Sequence, residues 1–335
     1  MNDQNHTAGR TCPLRYRYGA TALARATEKP VETLYVVGGL YGNLPALDAV
    51  EAMAEAEAGP VVVCSNGDFN WFNVDDDSFA AINRRVLAHD AIQGNVEAEL
   101  GVDGNAAGCG CAYPDTVDDA VVERSNRIHA RLKATASRHP EIMDRLAQLP
   151  MFARYRVGDA RIGVVHGDAD SLAGWRFDVA ALDAPENASW LAEAFSRADV
   201  DVFASTHTCL PALRSFTGPA GRSRVVINNG AAGMPNFAGE RAGLLTRISV
   251  LPSPHVPVHG IRQENLHIEA LAIPFDAARW EALFLNNWPV GSDAWHSYFD
   301  RIRNGPRFFR TQATQTAVKG FAEATLLVPR HDARS

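Results

Sequence analysis

Short apolar runs alternate with helical patterns along the first hundred residues. Thr33–Val37 (TLYVV) is β-branched, aromatic and aliphatic throughout, and too short for a buried helix. It predicts a buried strand. Gly38, Gly39 and Gly42 make a sharp turn after it. A helix follows from Leu44 to about Ala56, with Pro45 in its first turn, where proline is tolerated. Residues 60–64 (PVVVC) read as the next buried strand, Ser78 as the cap of a helix reaching about Ala88, and residues 90–93 as a lead into Gly94-Asn95. This β-α-β-α-β order predicts a parallel sheet with right-handed crossovers. The polar loops 38–43, 67–76 and 94–97 then fall at strand carboxyl ends, the edge where open α/β sheets place ligands.

The pattern breaks over 98–116, where Gly101, Gly104, Gly108 and Gly110 indicate a loop or insertion. A long helix is expected after Thr116, to about Arg138, and a short one from Pro140. Strands resume at 152–157 and 161–165, joined by Gly158-Asp159. A helix over 188–198 and a strand over 200–204 lead to Thr206-His207. Strands near 212–216, 224–227 and 243–250 indicate a second, mixed sheet. From Asp276 the chain reads as helical and aromatic-rich (Trp280, Phe284, Trp288, Trp295, Tyr298, Phe299), and is expected to pack on the core. The expected organisation is a polar N-terminal arm over 1–30, a main domain over 31–275 with an insertion at 98–150, and a helical extension over 276–335.

Composition narrows the function classes. The chain has 335 residues and a formal net charge of −7, which disfavours nucleic-acid binding. No apolar run is long enough to span a bilayer, and the start lacks the basic-then-apolar pattern of a secretory signal. Five cysteines, an odd and sparse count, suit a cytoplasmic protein with reduced thiols.

The candidate chemistry lies in the loops. In order they are Gly39-Leu40-Tyr41-Gly42-Asn43, Gly67-Asp68, Gly94-Asn95-Val96-Glu97, His166-Gly167, Thr206-His207-Thr208-Cys209 and Asn228-Asn229-Gly230. The series resembles the calcineurin-like metallophosphoesterases. Their pattern is D-x-H-G-N, then G-D, then G-N-H-D/E, then a lone histidine after a strand, then G-H-x-H, then an Asn-Gly strand end. The resemblance spans roughly residues 33–250. It implies a four-layer α/β/β/α sandwich of two mixed β-sheets flanked by helices, with a helical C-terminal extension. It also implies a hydrolase in which metal-bound water attacks a small phosphorylated or related substrate.

Carried over residue by residue, the resemblance assigns Asp68, Asn95, His166 and His207 to one complete metal site, with Asp68 and Asn95 serving catalysis. The other site has lost its ligands to Gly39, Tyr41 and Cys209, and the motif histidine is Val96. One transition-metal ion (Fe, Mn or Zn) is therefore expected, because two oxygens and two imidazoles are too nitrogen-rich for calcium or magnesium. A lone ion polarises a phosphoryl oxygen but cannot clamp attacking and leaving oxygens together. Without the motif histidine, general acid catalysis worth roughly 10²–10⁴ in rate is also missing. Tyr41 and Cys209, if deprotonated, could build an altered first site; alternatively Tyr41 fills the emptied space and Cys209 is a small buried thiol.

Glu97, Asn43 and Asn229 are candidate supports behind the ligands, and Arg176 is a candidate anion contact. Cys109-Gly110-Cys111 lacks C-x-x-C spacing and reads as thiols in a loop. His129 and His139 read as surface residues. Two alternatives stand beside the hydrolase: a catalytically inactive binding protein on the same fold, and a redox protein using Cys209, Cys109 and Cys111 around a single iron.

Overall fold

The computed structural model describes residues 7–314 apart from 103, 105 and 219–222. Strand β1 (Glu28–Val31) follows helix α1 (Ala20–Arg25), and β2 (Thr33–Val37) is buried along its whole length. Helix α2 (Leu44–Glu55), β3 (Val61–Asn66), α3 (Asp76–Val86), β4 (Asp90–Ile92) and α4 (Asn95–Leu100) come next. Helices α5 (Asp119–Ala136) and α6 (Pro140–Ala147) separate this half from β5 (Phe152–Val157) and β6 (Ala160–Val165). Helices α7 (Val179–Asp183) and α8 (Ala188–Ala198) precede β7 (Val202–Ser205), β8 (Pro211–Thr217), β9 (Ser223–Asn229), β10 (Gly243–Ser249), β11 (Pro257–Gln263) and β12 (Leu266–Ile273). The described chain ends in α9 (Ala277–Asn287), α10 (Asp293–Asn304) and α11 (Arg310–Ala313).

Two six-stranded mixed sheets result, ordered β11-β12-β10-β2-β3-β4 and β1-β5-β6-β7-β9-β8. Within the first, β2, β3 and β4 run parallel; within the second, β6, β7 and β9 do. The sheets face each other across a buried apolar layer that includes Leu34, Val36, Cys64 and Ile92 from one side and Ile162, Val164, Val202 and Ile227 from the other. Helices α2, α3, α5 and α9 bury apolar faces on the first sheet, and α1 and α8 on the second. This is the α/β/β/α sandwich, with helices at the C-terminal end. Buried on both faces, the parallel strands read as unbroken apolar runs.

Several expectations are corrected. Residues 7–31 are no free arm: Tyr16 and Leu23 are fully buried, and β1 adds to the second sheet alongside β5. Pro30 is tolerated there because β1 is an edge strand. The cap of α3 is Asp75, whose carboxylate accepts from the Ser78 N–H at 2.9 Å. Strands β8 and β9 join the second sheet, but β10 returns to the first beside β2. Strands β11 and β12 were not expected and extend that sheet as an antiparallel hairpin. In the extension Trp280, Phe284 and Trp288 are buried. Its reading beyond residue 314 falls outside the described residues.

Candidate metal centre

The carboxyl ends of β3, β4, β6 and β7 converge at one edge of the sandwich and carry Asp68, Asn95, His166 and His207. The backbone there is tightly constrained. Asp68 has φ of +53°, in the left-handed region that aspartate tolerates better than most residues. The loop after β2 is stitched to it: Tyr41 and Gly42 N–H groups donate to the carbonyls of Asp68 and Phe69 at 3.1 and 2.7 Å. A Cβ on Gly94 would lie 2.2 Å from Asp68 Oδ1 and 2.9 Å from His166 Cε1, so only glycine fits at that point.

Each of the four side chains turns one atom outward to a protein partner and another inward. His166 Nδ1 donates to the Asn66 carbonyl at 2.8 Å, leaving Nε2 as the inward lone pair. His207 Nε2 donates to the Cys111 carbonyl at 3.1 Å, leaving Nδ1. Asn95 Nδ2 donates to the Cys109 carbonyl at 2.9 Å, leaving Oδ1. Asp68 Oδ1 accepts from the Val96 N–H at 3.1 Å, leaving Oδ2. The inward atoms meet at His166 Nε2: Asn95 Oδ1 at 3.1 Å, His207 Nδ1 at 3.2 Å and Asp68 Oδ2 at 3.4 Å. All four residues are buried. Burial works to raise the Asp68 pKa, but His166 holds it below the usual carboxylate range; burial likewise opposes His166, yet Asp68 holds it above the usual histidine range. His207 is pushed down to about 3 by burial and by His166.

Two imidazole nitrogens 3.2 Å apart, each fixed by a backbone carbonyl, fit a shared cation. With a carboxylate and an amide oxygen they form a borderline donor set suited to Zn, Fe or Mn. Asp68, His166 and His207 are also the one group of three acidic, histidine or cysteine side chains close enough to share an ion among the described residues.

The residues around the centre divide clearly. Glu97 does not touch the ligand side chains. Its Oε2 accepts from the N–H groups of Asp68 (2.8 Å) and Gly94 (3.2 Å), and its Oε1 from those of Phe69 (3.1 Å) and Asn70 (3.2 Å), so it holds the Asp68 loop through its backbone. Burial and the Asp68 charge push its pKa up to about 7, against the four N–H donors that favour the carboxylate. Asn43 caps α2 and donates to the Gly233 carbonyl, and Asn229 donates to the carbonyls of Gly38 and Leu244; both brace loops rather than ligands.

Tyr41 and Cys209 lie beside the centre, with Oη and Sγ 3.0 Å apart. Burial pushes both pKa values up, so phenol and thiol are neutral while no metal ion lies beside them. A Cβ on Gly39 would lie 2.8 Å from the Tyr41 ring, so that ring fills the space a side chain at 39 would take. Cys111 and Cys109 are buried behind Asn95 and His207, contributing backbone carbonyls. Burial raises the Cys111 thiol far above its ordinary range, so it too stays protonated.

Arg176 is exposed, stacks over Trp190 at 4.7 Å and lines a different, outer cavity with Arg10 and Arg17. His129 is no surface residue. It is buried, with Nε2 donating to the Val96 carbonyl at 3.0 Å, and burial lowers its pKa to about 4.

A cavity of about 270 Å³ opens on the centre, a size for a small ligand. Asp68, Asn95 and His207 form one wall. Trp71, Tyr113, Trp175 and Tyr298 supply aromatic walls, with Val117 and Val121 between them, and Arg301 lies among the lining residues. Trp175 also packs edge-on against His207, centroids 5.1 Å apart. Sequence reading missed the carbonyl roles of Cys111 and Asn66, and the side chains of Trp175 and Arg301. The first two act through backbone carbonyls, which no side-chain pattern reveals. The last two come from a loop and a late helix outside the motif series.

No protein-family model matches this chain, and no curated protein matches it. Solved structures do. The structure of a hypothetical protein from Pyrococcus horikoshii OT3 covers 82% of this chain and 99% of its own, with 15% identity and a TM-score of 0.52. A metallophosphoesterase from Sphaerobacter thermophilus covers 76% and 93%, with 16% identity and a TM-score of 0.47. A phosphoesterase from E. coli covers 72% and 99%, with 16% identity and a TM-score of 0.34. At 15% identity the likeness to the Pyrococcus horikoshii structure is one of fold, the two-sheet α/β sandwich.

Proposed function

We propose that this chain is a mononuclear metal-dependent phosphoester hydrolase acting on a small substrate. Asp68, Asn95, His166 and His207 hold the ion. The reading rests on one observation: four side chains from four loops each have their outer atom tied to the protein and their inner atom directed at one point. A transition-metal ion held there supplies Lewis acidity towards a phosphoryl oxygen and lowers the pKa of a coordinated water. The residues do the rest. The Asn66 and Cys111 carbonyls fix the histidine tautomers, Glu97 fixes the Asp68 loop, and the aromatic walls exclude water from the cavity. The expected hydrolysis is slow, because Val96 offers no proton to a leaving group and the Gly39–Tyr41–Cys209 side offers no carboxylate ligand.

The test is elemental analysis of gently purified protein together with hydrolysis of an activated aryl phosphodiester. About one metal ion per chain is expected, with turnover lost and metal lost in His207→Ala. Full turnover in a metal-free His207→Ala protein would reject the proposal.

A second reading, a non-catalytic binding protein on this fold, is favoured by the replacement of the motif histidine by Val96. It predicts the same metal content with no turnover on any phosphoester.

A further inference from the structure

With a single ion proposed, an anionic ester would meet little positive charge from the centre alone. Helix α10 brings another cation to the same cavity. Arg301 is half-buried and is the one lysine or arginine among the lining residues. Tyr298, one turn earlier and on the same helix face, lines the cavity with it. Arg301 Nη2 donates to the Cys209 carbonyl at 2.7 Å, and Nε donates to the Pro235 carbonyl at 3.0 Å. The guanidinium is therefore fixed on the side of Tyr41 and Cys209, where the ligand set is missing. Of a guanidinium's five N–H donors, these contacts use two. No carboxylate pairs with Arg301 among the described residues, whereas its neighbour Arg303 has Glu281 at 3.6 Å. A cation fixed by neutral carbonyls, with donors to spare and no acidic partner, is poised for an external anion.

We infer that Arg301 is the anion-binding residue of this cavity, holding a phosphoryl oxygen of a small phosphoester opposite the Asp68–His166–His207 centre. It supplies a second positive charge to the cavity, beside the proposed ion. The inference rests on the reading of the cavity as a phosphoester site. The ester group then lies against Trp71, Trp175 and Tyr113, so a compact apolar group is accommodated and a charged one is not.

The test uses full-length protein with its metal content measured first and inorganic phosphate as the probe, titrated by calorimetry. Arg301→Gln is expected to keep the wild-type metal content and to bind phosphate at least tenfold more weakly. Equal phosphate affinity at equal metal content overturns the inference while leaving the metal proposal standing. If the wild-type chain takes up no metal, the metal proposal fails, and Arg301 is judged on the metal-free protein: phosphate binding there must vanish in Arg301→Gln. Because that variant also loses two carbonyl contacts, wild-type protein gives a second measurement. Phosphate should protect Arg301 from phenylglyoxal, read by peptide mass spectrometry, and equal modification with and without phosphate overturns the inference.

Discussion

At the scale of single residues, the centre depends on positions that hold no ligand. Gly94 is one. A methyl group there would press on Asp68 Oδ1 and on the His166 ring. Gly94→Ala should therefore weaken zinc binding at least tenfold, measured against a competing chelator, while the remote β11–β12 hairpin stays folded. Unchanged affinity would show that the loop can shift at no cost. Glu97 is another. An amide at 97 puts N–H groups where Asp68, Gly94, Phe69 and Asn70 already present donors. Glu97→Gln should destabilise the fold by about 1–3 kcal/mol in urea unfolding, the cost of leaving buried donors unpaired. Residue identity was readable where a side chain both follows a strand and carries its own chemistry, as with Asp68 and His166. It was unreadable where the backbone acts, as at Asn66 and Cys111. His129 misled for a related reason. On a helix of mixed character an isolated histidine reads as surface, yet its partner is a carbonyl in the Val96 loop.

Elements show the same division. Strand β2 announces itself through an unbroken apolar run, and helices α2, α5 and α8 through helical spacing, with side-chain caps on α2 and α5. Strands β11 and β12 do not. Gly260 and several polar residues interrupt the alternation, and the turn between them uses Glu264 at φ of +52° rather than an Asn-Gly pair. Residues 7–31 read as an arm because their elements are short and borrow their stability from α8 and β5. The C-terminal helices matter most for function, since α10 delivers Tyr298 and Arg301. They are anchored through Phe72, whose ring meets Phe284 edge-on at 5.1 Å and whose carbonyl accepts from Trp288 Nε1 at 3.0 Å. Phe284 is fully buried. Phe284→Ala should cost about 3–5 kcal/mol in stability, the usual range for emptying such a site. It should also weaken phosphate binding more than metal binding, because it loosens α10 but not the four ligand loops. Equal losses in both would mean that the helices and loops unfold as one unit.

Across the whole molecule, two buried histidines outside the ligand set tie stability to pH. His259 lies in β11 with no hydrogen-bond partner on either ring nitrogen among the described residues; burial and the nearby Arg310 and Arg214 push its pKa down to about 4. His129 is also held down at about 4, chiefly by burial. The unfolded chain protonates both near 6.5. Between pH 6.5 and 4 the unfolded state therefore binds more protons than the folded one, and stability must fall as the solution is acidified. From pH 7 to pH 5 each histidine should remove roughly 1–2 kcal/mol. His259→Leu takes one of the two away without touching the metal ligands. Its urea midpoint should change less than that of the wild type between pH 7 and pH 5, with the metal removed from both so that ligand titration does not enter. Identical pH slopes would mean that His259 is solvated or partnered in solution. In that case the packing of Phe237 and Phe308 beside β11 would be looser than the structure shows.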